Sequence, residues 1–425
     1  MIRHIRILTA LGMSFGTTLA LADEPFFVGL GGLAGGDFES RAWGVSDDGA
    51  VVVGDSVVAG LFGTQAFVWT REEGMRPLGA LEPGLRSRAD GASVDGNTIV
   101  GWVGDSNQGQ AVMWVNRSEF RLGDLPGGLF ASAAHSVSDN GLIVVGVATS
   151  AEPRFFEPFR WTAEDGMVSL GPLPGAELHG MARAVSADGS VIVGGARPPV
   201  GVGPAEAFRW TEDTGMVGLG DLPGGAFNSI AYDVSADGRV IVGIATAADQ
   251  TQAFRWTEQE GMTELDPQRR FFQPRAWSVS GDGSLIVGDG LKRVTDRDYR
   301  NFSFIWDKHH GMRDLSAVLS EQYGLDLSGW TLTTATAVTP DGRTIVGFGQ
   351  SPRPEAWIAH LGPPPDCTGD IDGDHAVTLS DLGVLLSHFG STDGEPTPGD
   401  LDNDGDVDLD DLQTLLQNFG SICIG

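Results

Sequence analysis

A short motif recurs seven times in this chain of 425 residues and restricts its possible folds more than any other feature. The motif is Val-Ser-x-Asp-Gly or a near variant, and its glycines are Gly49, Gly96, Gly141, Gly189, Gly238, Gly283 and Gly342. Five residues after each glycine, a second glycine ends a run such as VIVG, and a Trp follows, commonly within Ala-Phe-x-Trp. Repeats of this length are typical of solenoids and propellers.

Each unit carries the signals of four short strands, here called a to d. Strand a ends in Val-Ser, and the following Asp-Gly predicts a hairpin turn with positive φ at both residues. Strand b is the β-branched run, strand c places Phe and Trp on one face, and a turn before Met leads to strand d. Four strands in a unit of this length indicate a propeller blade. A helix is expected only near residues 315 to 323 within the repeats.

The two ends of the repeat array predict how the ring closes. Residues 27–36, FVGLGGLAGG, match strand d of a later unit, MVGLGDLPGG at 216–225. The last unit runs from Trp357 into prolines without a strand d of its own. An open solenoid would need capping repeats, which this sequence lacks. We therefore predict an all-β, seven-bladed β-propeller closed by the N-terminal strand, followed by a small helical domain with paired EF-hand-like loops.

A comparison of the units indicates one candidate binding surface. Strand a begins with Ala in every unit, and the next residue varies: Trp43, Asp90, His135, Arg183, Tyr232, Trp277 and Thr336. Because strand a is innermost in a blade, this column places one side chain per blade near the central channel. Its aromatic, acidic, basic and imidazole groups are typical of sites for sugars or peptides. The alternative is packing between blades, since the direction of these side chains is not fixed by the pattern.

The connections between strands b and c vary in length and are a second candidate surface. The longest, residues 288–302, carries Lys292, Arg293, Arg297 and Arg300. It is either a basic binding spot or a solvated loop.

The C-terminal 60 residues predict two calcium loops. They contain 14 acidic residues and no Lys or Arg, and two segments repeat with an offset of 30. Positions 1, 3, 5, 7, 9 and 12 of the loops are Asp370, Asp372, Asp374, Ala376, Thr378 and Asp381, then Asp400, Asp402, Asp404, Asp406, Asp408 and Asp411. This is the EF-hand register, in which position 7 offers its backbone carbonyl. We therefore predict two bound calcium ions.

An apolar stripe follows each loop and predicts a helix with one buried face. The stripes are Leu382, Leu385, Leu386 and Phe389, then Leu412, Leu415, Leu416 and Phe419. Position 6 requires positive φ and is Gly405 in the second loop but His375 in the first. The first loop is therefore expected to bind calcium more weakly. Cys367 and Cys423 bracket this region, and we predict a disulfide between them.

The N-terminus predicts export. Arg3, His4 and Arg6 precede an uncharged stretch, and Ala20-Leu21-Ala22 is typical of a signal-peptidase site. The alternative is an uncleaved membrane anchor, although the stretch is short and polar for one. The expected organisation is a signal peptide (1–22), the propeller (23–362), a proline linker (363–365) and the calcium-binding domain (366–425). A net charge of −30 argues against a binder of nucleic acids or anionic membranes.

The calcium region resembles a type I dockerin, because both loops end in Asp and lead into Leu-rich helices. This resemblance implies calcium-dependent docking onto a cohesin-like partner. The helix-entry pairs Leu379-Ser380 and Leu409-Asp410 differ from the Ser/Thr pairs common in cellulosomal dockerins. The repeats resemble the HAF-type extracellular repeat through QAFVW, EPFRW, EAFRW and QAFRW, and through GWTLTTATAVTPDGRTIVGFG from Gly329. That family is largely without assigned activity.

These patterns favour a secreted, non-catalytic binding protein whose propeller recognises an extracellular ligand or surface, with a glycan as one candidate. One alternative is a polysaccharide-active enzyme, a hydrolase or lyase. A glycosidase needs two carboxylates across a groove, and the column offers Asp90, with Asp233 one position beyond Tyr232. A second alternative is a structural protein of the cell envelope.

Overall fold

The computed structural model describes residues 24–33, 39–58, 63–79, 84–105, 109–128, 131–150, 156–174, 179–197, 205–248, 250–295, 298–362, 368–372, 376–391, 397–402 and 404–420. The predicted signal peptide, the proline linker, His375 and both cysteines lie outside these ranges, as does Asp374. Helices long and apolar enough to cross a membrane are absent from the described segments.

Seven four-stranded antiparallel sheets form the predicted propeller, and β1 (Phe26–Gly29) belongs to the last of them. Blade 1 contains β2 (Ser40–Val45), β3 (Val51–Val57), β4 (Thr64–Thr70) and β5 (Gly74–Pro77). Blade 2 contains β6 (Arg86–Ala92), β7 (Thr98–Gly104), β8 (Gly109–Val115) and β9 (Ser118–Gly123). Blade 3 contains β10 (Ser132–Val137), β11 (Val144–Thr149), β12 (Phe156–Thr162) and β13 (Gly166–Ser169). Blade 4 contains β14 (Gly180–Val185), β15 (Ile192–Ala196), β16 (Glu206–Thr211) and β17 (Gly215–Gly218).

Blades 5 to 7 continue the same order. Blade 5 contains β18 (Gly224–Val234), β19 (Ile241–Ala247), β20 (Gln250–Thr257) and β21 (Gly261–Glu264). Blade 6 contains β22 (Phe272–Val279), β23 (Leu285–Arg293), β24 (Tyr299–Asp307) and β25 (Gly311–Asp314), after which comes the short helix α1 (Leu315–Glu321). Blade 7 contains β26 (Thr331–Val338), β27 (Thr344–Ser351) and β28 (Arg353–His360), and β1 is its fourth strand.

The N-terminal strand closes the ring, as predicted. Phe26 to Gly29 pair antiparallel with His360 to Trp357, and Phe27 packs edge-on against Trp330 at 5.1 Å. The core lies between neighbouring blades, where Val and Ala of one blade meet Trp and Phe of the next. Each strand b is buried on both faces, which explains its β-branched composition.

The Asp-Gly turns differ from the predicted type. In blade 1, φ is positive at Gly49 (70°) but not at Asp48. The Ser46 hydroxyl accepts from the Val51 amide (2.9 Å), and the Asp48 carboxylate accepts from the Ala50 amide (3.0 Å). The side chains thus fix a longer turn with a single left-handed residue, and the Ser and Asp of the motif have a structural role.

The predicted basic loop of blade 6 is mostly strand. β23 and β24 pair as far as Arg293 and Tyr299. Lys292 forms an ion pair with Asp314 (N–O 3.2 Å), and Arg300 lies 3.9 Å from Asp298. Arg297 lies outside the described residues. Lys292 and Arg300 therefore neutralise local acids.

Two helices form the C-terminal region, α2 (Leu379–His388) and α3 (Leu409–Gln417). The amide of Gly390 donates to the carbonyl of Val407, and the amide of Gly420 to the carbonyl of Val377, both at 2.8 Å. Each helix end is therefore bonded to the loop of the other repeat. Leu385 and Leu415 are buried between the two repeats.

Candidate functional site

A β-bulge re-aims one residue of strand a in every blade. In blade 3, Ala134 pairs with Gly146 and Ser136 with Val145, so His135 has no partner across the ladder. The same register shift occurs at all seven variable residues: Trp43, Asp90, His135, Arg183, Tyr232, Trp277 and Thr336. Bulges of this kind redirect side chains and are common beside functional sites.

The second recurring glycine makes the bulge possible. A Cβ at this position would lie 1.9 to 2.1 Å from a carbonyl oxygen of strand a in each blade. In blade 2, a Cβ on Gly101 would lie 2.0 Å from the Arg88 carbonyl oxygen. Only glycine fits this close approach of the two backbones.

All seven bulge residues line one central cavity of about 380 Å³. This volume lies within the range of small-molecule sites. The bulge therefore turns the seven variable side chains toward the channel, a direction that the sequence left open.

Arg183, Tyr232 and Trp277 line one side of the channel, and Arg275 lies beside them. The rings of Tyr232 and Trp277 are stacked with centroids 4.6 Å apart. Arg183 lies 5.8 Å from the Tyr232 ring, and Arg275 lies 5.2 Å from the Trp277 ring. Arg275 also forms a bidentate ion pair with Asp289, with both N–O distances 2.8 Å.

Charged pairs line the other side. Arg88 contacts Asp90 (N–O 2.6 Å) and lies 5.0 Å from the ring of Trp43. The Trp43 indole donates to Asp55. Burial raises the pKa of Asp90, while the charge of Arg88 opposes this shift.

His135 is a neutral group in this channel. Its Nδ1 lies 2.7 Å from the Ala182 carbonyl, and because a carbonyl only accepts, Nδ1 carries the hydrogen. Burial and the charge of Arg183 lower the pKa of His135 from 6.5 to about 3. Its Nε2 is therefore a hydrogen-bond acceptor at neutral pH.

Thr336 has a packing role. Its hydroxyl lies 2.9 Å from the Ala42 carbonyl, to which it donates across the junction of blades 7 and 1. This residue fits the alternative interpretation of the column, packing between blades.

Several polar atoms at the channel have no hydrogen-bond partner within the described part of the protein. They are Arg88 Nε, Asp90 Oδ2, Arg183 Nε and Trp277 Nε1, and all four are buried. Unpaired buried groups are costly. The side chains of Arg88, Asp90, Arg183 and Trp277 therefore keep unused hydrogen-bonding capacity beside the channel.

Sequence reasoning missed Arg88, Arg275, Asp55 and Asp289. A signal was present, because units 1 and 6 share Arg-Ala-Trp on strand a and Gly-Asp on strand b. The structure pairs Arg275 directly with Asp289 across the strands. In unit 6 this pair is an ion pair with a buried carboxylate, whereas in unit 1 Asp55 accepts from the Trp43 indole.

Asp233, the second carboxylate considered for catalysis, serves to join blades. It accepts from the amides of Val234 and Val279, both at 2.9 Å. Burial raises the pKa of Asp233 to about 6.

The a–b turns join their neighbours at one end of the channel. Backbone hydrogen bonds of 2.9 to 3.2 Å connect the middle residue of each turn to the next: Val94, Asp139, Ala187, Ala236, Gly281 and Pro340. Asp47 lines the channel at the corresponding turn of blade 1. Burial and the charge of Asp139 raise the pKa of Asp47 to about 6. This end of the channel is therefore acidic.

The C-terminal loops bring predicted calcium ligands together. Carboxylate oxygens of Asp370, Asp372 and Asp381 lie within 4.8 Å of one another. The same holds for Asp400, Asp402 and Asp411 in the second loop, where Asp406 and Asp408 form a further group with Asp411. Asp404 instead accepts from the Asp406 amide at 3.1 Å.

Hydrogen bonds hold the position-12 carboxylates in place. Asp381 is buried and accepts from the amides of Ile371 (2.7 Å) and Thr378 (2.7 Å). Asp411 is held in the same way by Leu401 and Asp408. Thr378 and Asp408 also act as N-caps of α2 and α3, in capping boxes with Asp381 and Asp411.

The second loop fits a hard cation. Oδ1 of Asp400 and Oδ1 of Asp406 are buried without a hydrogen-bond partner among the described residues. Gly405 has φ of +96°, as position 6 requires. Calcium would be held here by Asp400, Asp402 and Asp411, whereas the predicted carbonyl ligands Ala376 and Asp406 and the ligand Asp374 stay predictions.

The apolar stripes are buried only in part, contrary to prediction. Leu385 and Leu415 are fully buried, but Leu386, Phe389, Leu416 and Phe419 are 43% to 54% exposed. Each short helix packs against the other through only a small part of its apolar stripe, so much of the stripe stays exposed. The exposed residues form two equivalent sets related by the repeat.

Comparison with known proteins identifies the fold and no family. No protein-family model and no curated protein sequence matches this chain. An oligogalacturonate lyase from Vibrio parahaemolyticus is 12% identical with a TM-score of 0.52, over 81% of this chain and 98% of that one. An oligogalacturonate lyase in complex with manganese is 12% identical with a TM-score of 0.49, over 81% and 97%. TolB from Acinetobacter baumannii is 13% identical with a TM-score of 0.41, over 62% of both chains.

The likeness to the Vibrio parahaemolyticus protein, at 12% identity, indicates a common fold only. The propeller itself is shown by the seven four-stranded sheets. The resemblances to HAF-type repeats and to dockerins stay predictions.

Proposed function

We propose that this protein is a secreted, non-catalytic binding protein. Its propeller channel recognises an extracellular ligand, and its C-terminal region binds calcium and docks onto a protein partner. The observation that carries the proposal is the ring of bulge side chains, with buried unpaired polar atoms, around a cavity of about 380 Å³. Binding energy comes from satisfying such groups in a preformed site.

The engagement of the carboxylates in and near the channel supports binding over catalysis. Hydrolysis of a glycosidic bond requires an acid and a second carboxylate. Asp233 is held by two backbone amides, and Asp289 is held by Arg275. Asp90 retains one oxygen without a partner, which suits an acceptor for a ligand hydroxyl.

Calcium is the cation that we propose for the C-terminal loops. Several carboxylates at alternate positions of a 12-residue loop are the ligand set of a hard divalent cation. The ion would neutralise the repulsion among these carboxylates and so order the loops before both helices.

The partner that we propose is cohesin-like, on the basis of the sequence resemblance. The exposed residues Leu386, Phe389, Leu416 and Phe419 supply an apolar surface for it. Exposed apolar side chains in equivalent positions on two helices are typical of an interaction surface.

A glycan array with the mature full-length chain tests the ligand-binding part. We expect binding of at least one glycan class by the wild type, at least about tenfold weaker binding by Asp90→Asn, and no change in Asp213→Asn, an exposed control. Polysaccharide turnover that is lost in Asp90→Asn would overturn the proposal in favour of an enzyme.

Calorimetry and a pull-down test the C-terminal part. Asp400→Asn should lose one of two calcium sites, while Asp410→Asn, an exposed control, keeps both. An exported cohesin-like protein should be retained with calcium, released by a chelator, and lost with Leu416→Ser but not Gln417→Ser. Retention without residues 366–425 would contradict this assignment.

A further inference from the structure

The unpaired polar atoms of the channel differ in whether they donate or accept hydrogen bonds. Arg88 Nε, Arg183 Nε and Trp277 Nε1 are hydrogen-bond donors, whereas Asp90 Oδ2 is the single acceptor among the four. These groups come from blades 2, 4 and 6, so they surround the channel instead of converging on one point. A matching ligand must offer acceptors on several sides.

Arg183 differs from Arg88, which also lines the channel, and from Arg275, which lies against the Trp277 ring. Arg88 has Asp90 as an ion-pair partner, and Arg275 has Asp289. Within the described ranges, Arg183 makes neither a hydrogen bond nor an ion pair, and its polar head lies against the Tyr232 ring. Burial lowers the pKa of Arg183, and the nearby charge of Asp90 opposes this shift only in part. A partly buried guanidinium without a hydrogen-bond partner is suited to an anionic oxygen pair, which it binds in a planar fork.

The remaining groups are suited to hydroxyls. The side chain of Asp90 is only 9% exposed, and its free oxygen needs a donor. His135 Nε2 is a second acceptor. A hydroxyl can donate to such an acceptor and accept from a neighbouring N–H at the same time. Arg88 binds Asp90 through Nη2, and its Nε is a further donor without a partner among the described residues.

We propose that the channel binds an acidic sugar of the uronic acid class, with its carboxylate on Arg183 and a ring hydroxyl on Asp90. This inference rests on the proposed ligand-binding function and names the ligand class. The acidic turns with Asp47 and Asp139 at one end of the channel keep the carboxylate away from that end. The volume of about 380 Å³ limits the ligand inside the channel to a small unit, such as one sugar residue.

The test measures selectivity by calorimetry with the mature full-length chain in calcium. The probes are D-galacturonate and D-glucuronate, the neutral sugars D-galactose and D-glucose, and short oligomers of each uronate. We expect the wild type to bind one uronate at least about tenfold more tightly than its neutral counterpart, as a charge-assisted hydrogen bond provides. Equal affinity for a uronate and its neutral sugar would overturn the inference.

Variants locate the carboxylate. Arg183→Gln should lose at least about tenfold in affinity for the uronate and leave any affinity for the neutral sugar unchanged. Arg183→Lys should retain part of the selectivity, and Arg239→Gln, at an exposed turn, should match the wild type. Undiminished uronate binding by Arg183→Gln would contradict the assignment.

The remaining outcomes separate the two proposals. A free uronate that binds as tightly as its oligomer supports recognition of a single residue, whereas binding of the oligomer alone overturns the single-residue site. Binding of neutral sugars that depends on Asp90 but not on Arg183 overturns the acidic-sugar inference and leaves the proposed function intact. Failure of every uronate probe also overturns it, and the glycan array then decides the wider function. If Arg183→Gln does not fold, the wild-type selectivity and its decrease with salt decide the inference.

Discussion

The strand-b glycine is the residue on which each bulge depends. We predict that Gly101→Ala destabilises the protein by about 2 kcal/mol, because the new Cβ would lie 2.0 Å from the Arg88 carbonyl oxygen. The control is Gly109→Ala in the same blade, where the nearest atom would be 3.4 Å away. Urea unfolding of the two variants measures the difference. Equal stability would mean that strand a accommodates the methyl group without losing its bulge.

His135 gives the stability of the propeller a defined pH dependence. Its pKa is about 3 in the folded chain and near 6.5 when unfolded, so below pH 6.5 the unfolded state binds the extra proton. This single group lowers the free energy of unfolding by about 1.4 kcal/mol per pH unit as the pH falls. The raised pKa of Asp233, about 6, acts in the opposite direction between pH 6 and 3.8.

The pH effect of His135 is therefore visible only as a difference between two proteins. We predict that the free energy of unfolding of the wild type decreases, relative to that of His135→Gln, as the pH falls from 6.5 to 5. Urea unfolding at several pH values provides both curves. Parallel curves would show that His135 takes up its proton in the folded chain as readily as in the unfolded chain.

At the scale of elements, the repeat predicted the features that depend on residues close together in the sequence. Hairpin signals and β-branched runs follow from neighbouring residues, and these gave the four strands per blade and the closing strand. The bulge was not predictable from neighbouring residues. One extra residue changes the register of strand pairing, but side chains still alternate between the two faces on either side of it. Its signal was the glycine that recurs in strand b, because a glycine inside a strand often marks a bulge or a close backbone approach. The stripe after each acidic loop correctly predicted a helix, but its burial depended on a partner surface that two short helices do not provide.

The closing strand β1 is an element whose removal has a specific consequence. Without it, β28 would present an unpaired edge, and Trp357 would lose its contact with Phe27. We predict that a chain starting at residue 34 melts at a lower temperature and associates with itself. Light scattering and thermal unfolding measure both effects.

A peptide of residues 24–33 controls for the strand deletion. Added in trans, it should restore the melting temperature, because the pairing and the Phe27 contacts re-form. The same peptide with Phe27→Asp should not restore the melting temperature. A peptide with Val28→Thr should restore it, because Val28 is exposed. A truncated chain that is stable and monomeric without any peptide would show that closure of the ring contributes little.

At the scale of the whole molecule, the aromatic residues separate the two regions. All 11 Trp residues lie before residue 358, and the region from 366 onward has neither Trp nor Tyr. Intrinsic Trp fluorescence therefore reports the propeller alone, whereas helical circular dichroism is dominated by α2 and α3. The two signals can follow the two regions in one intact chain.

We predict that removal of calcium affects one signal and spares the other. Without the ion, the carboxylates of each loop repel one another, so the helices should lose stability and the helical signal should fall. The propeller is held by its own ring of blades, and its Trp-detected melting temperature should stay constant. Asp400→Asn with Asp370→Asn should reproduce the effect of the chelator in calcium, while Asp410→Asn should not. A fall in the Trp-detected melting temperature on chelation would show that the calcium region supports the propeller, and the boundary predicted between them would then divide one cooperative unit.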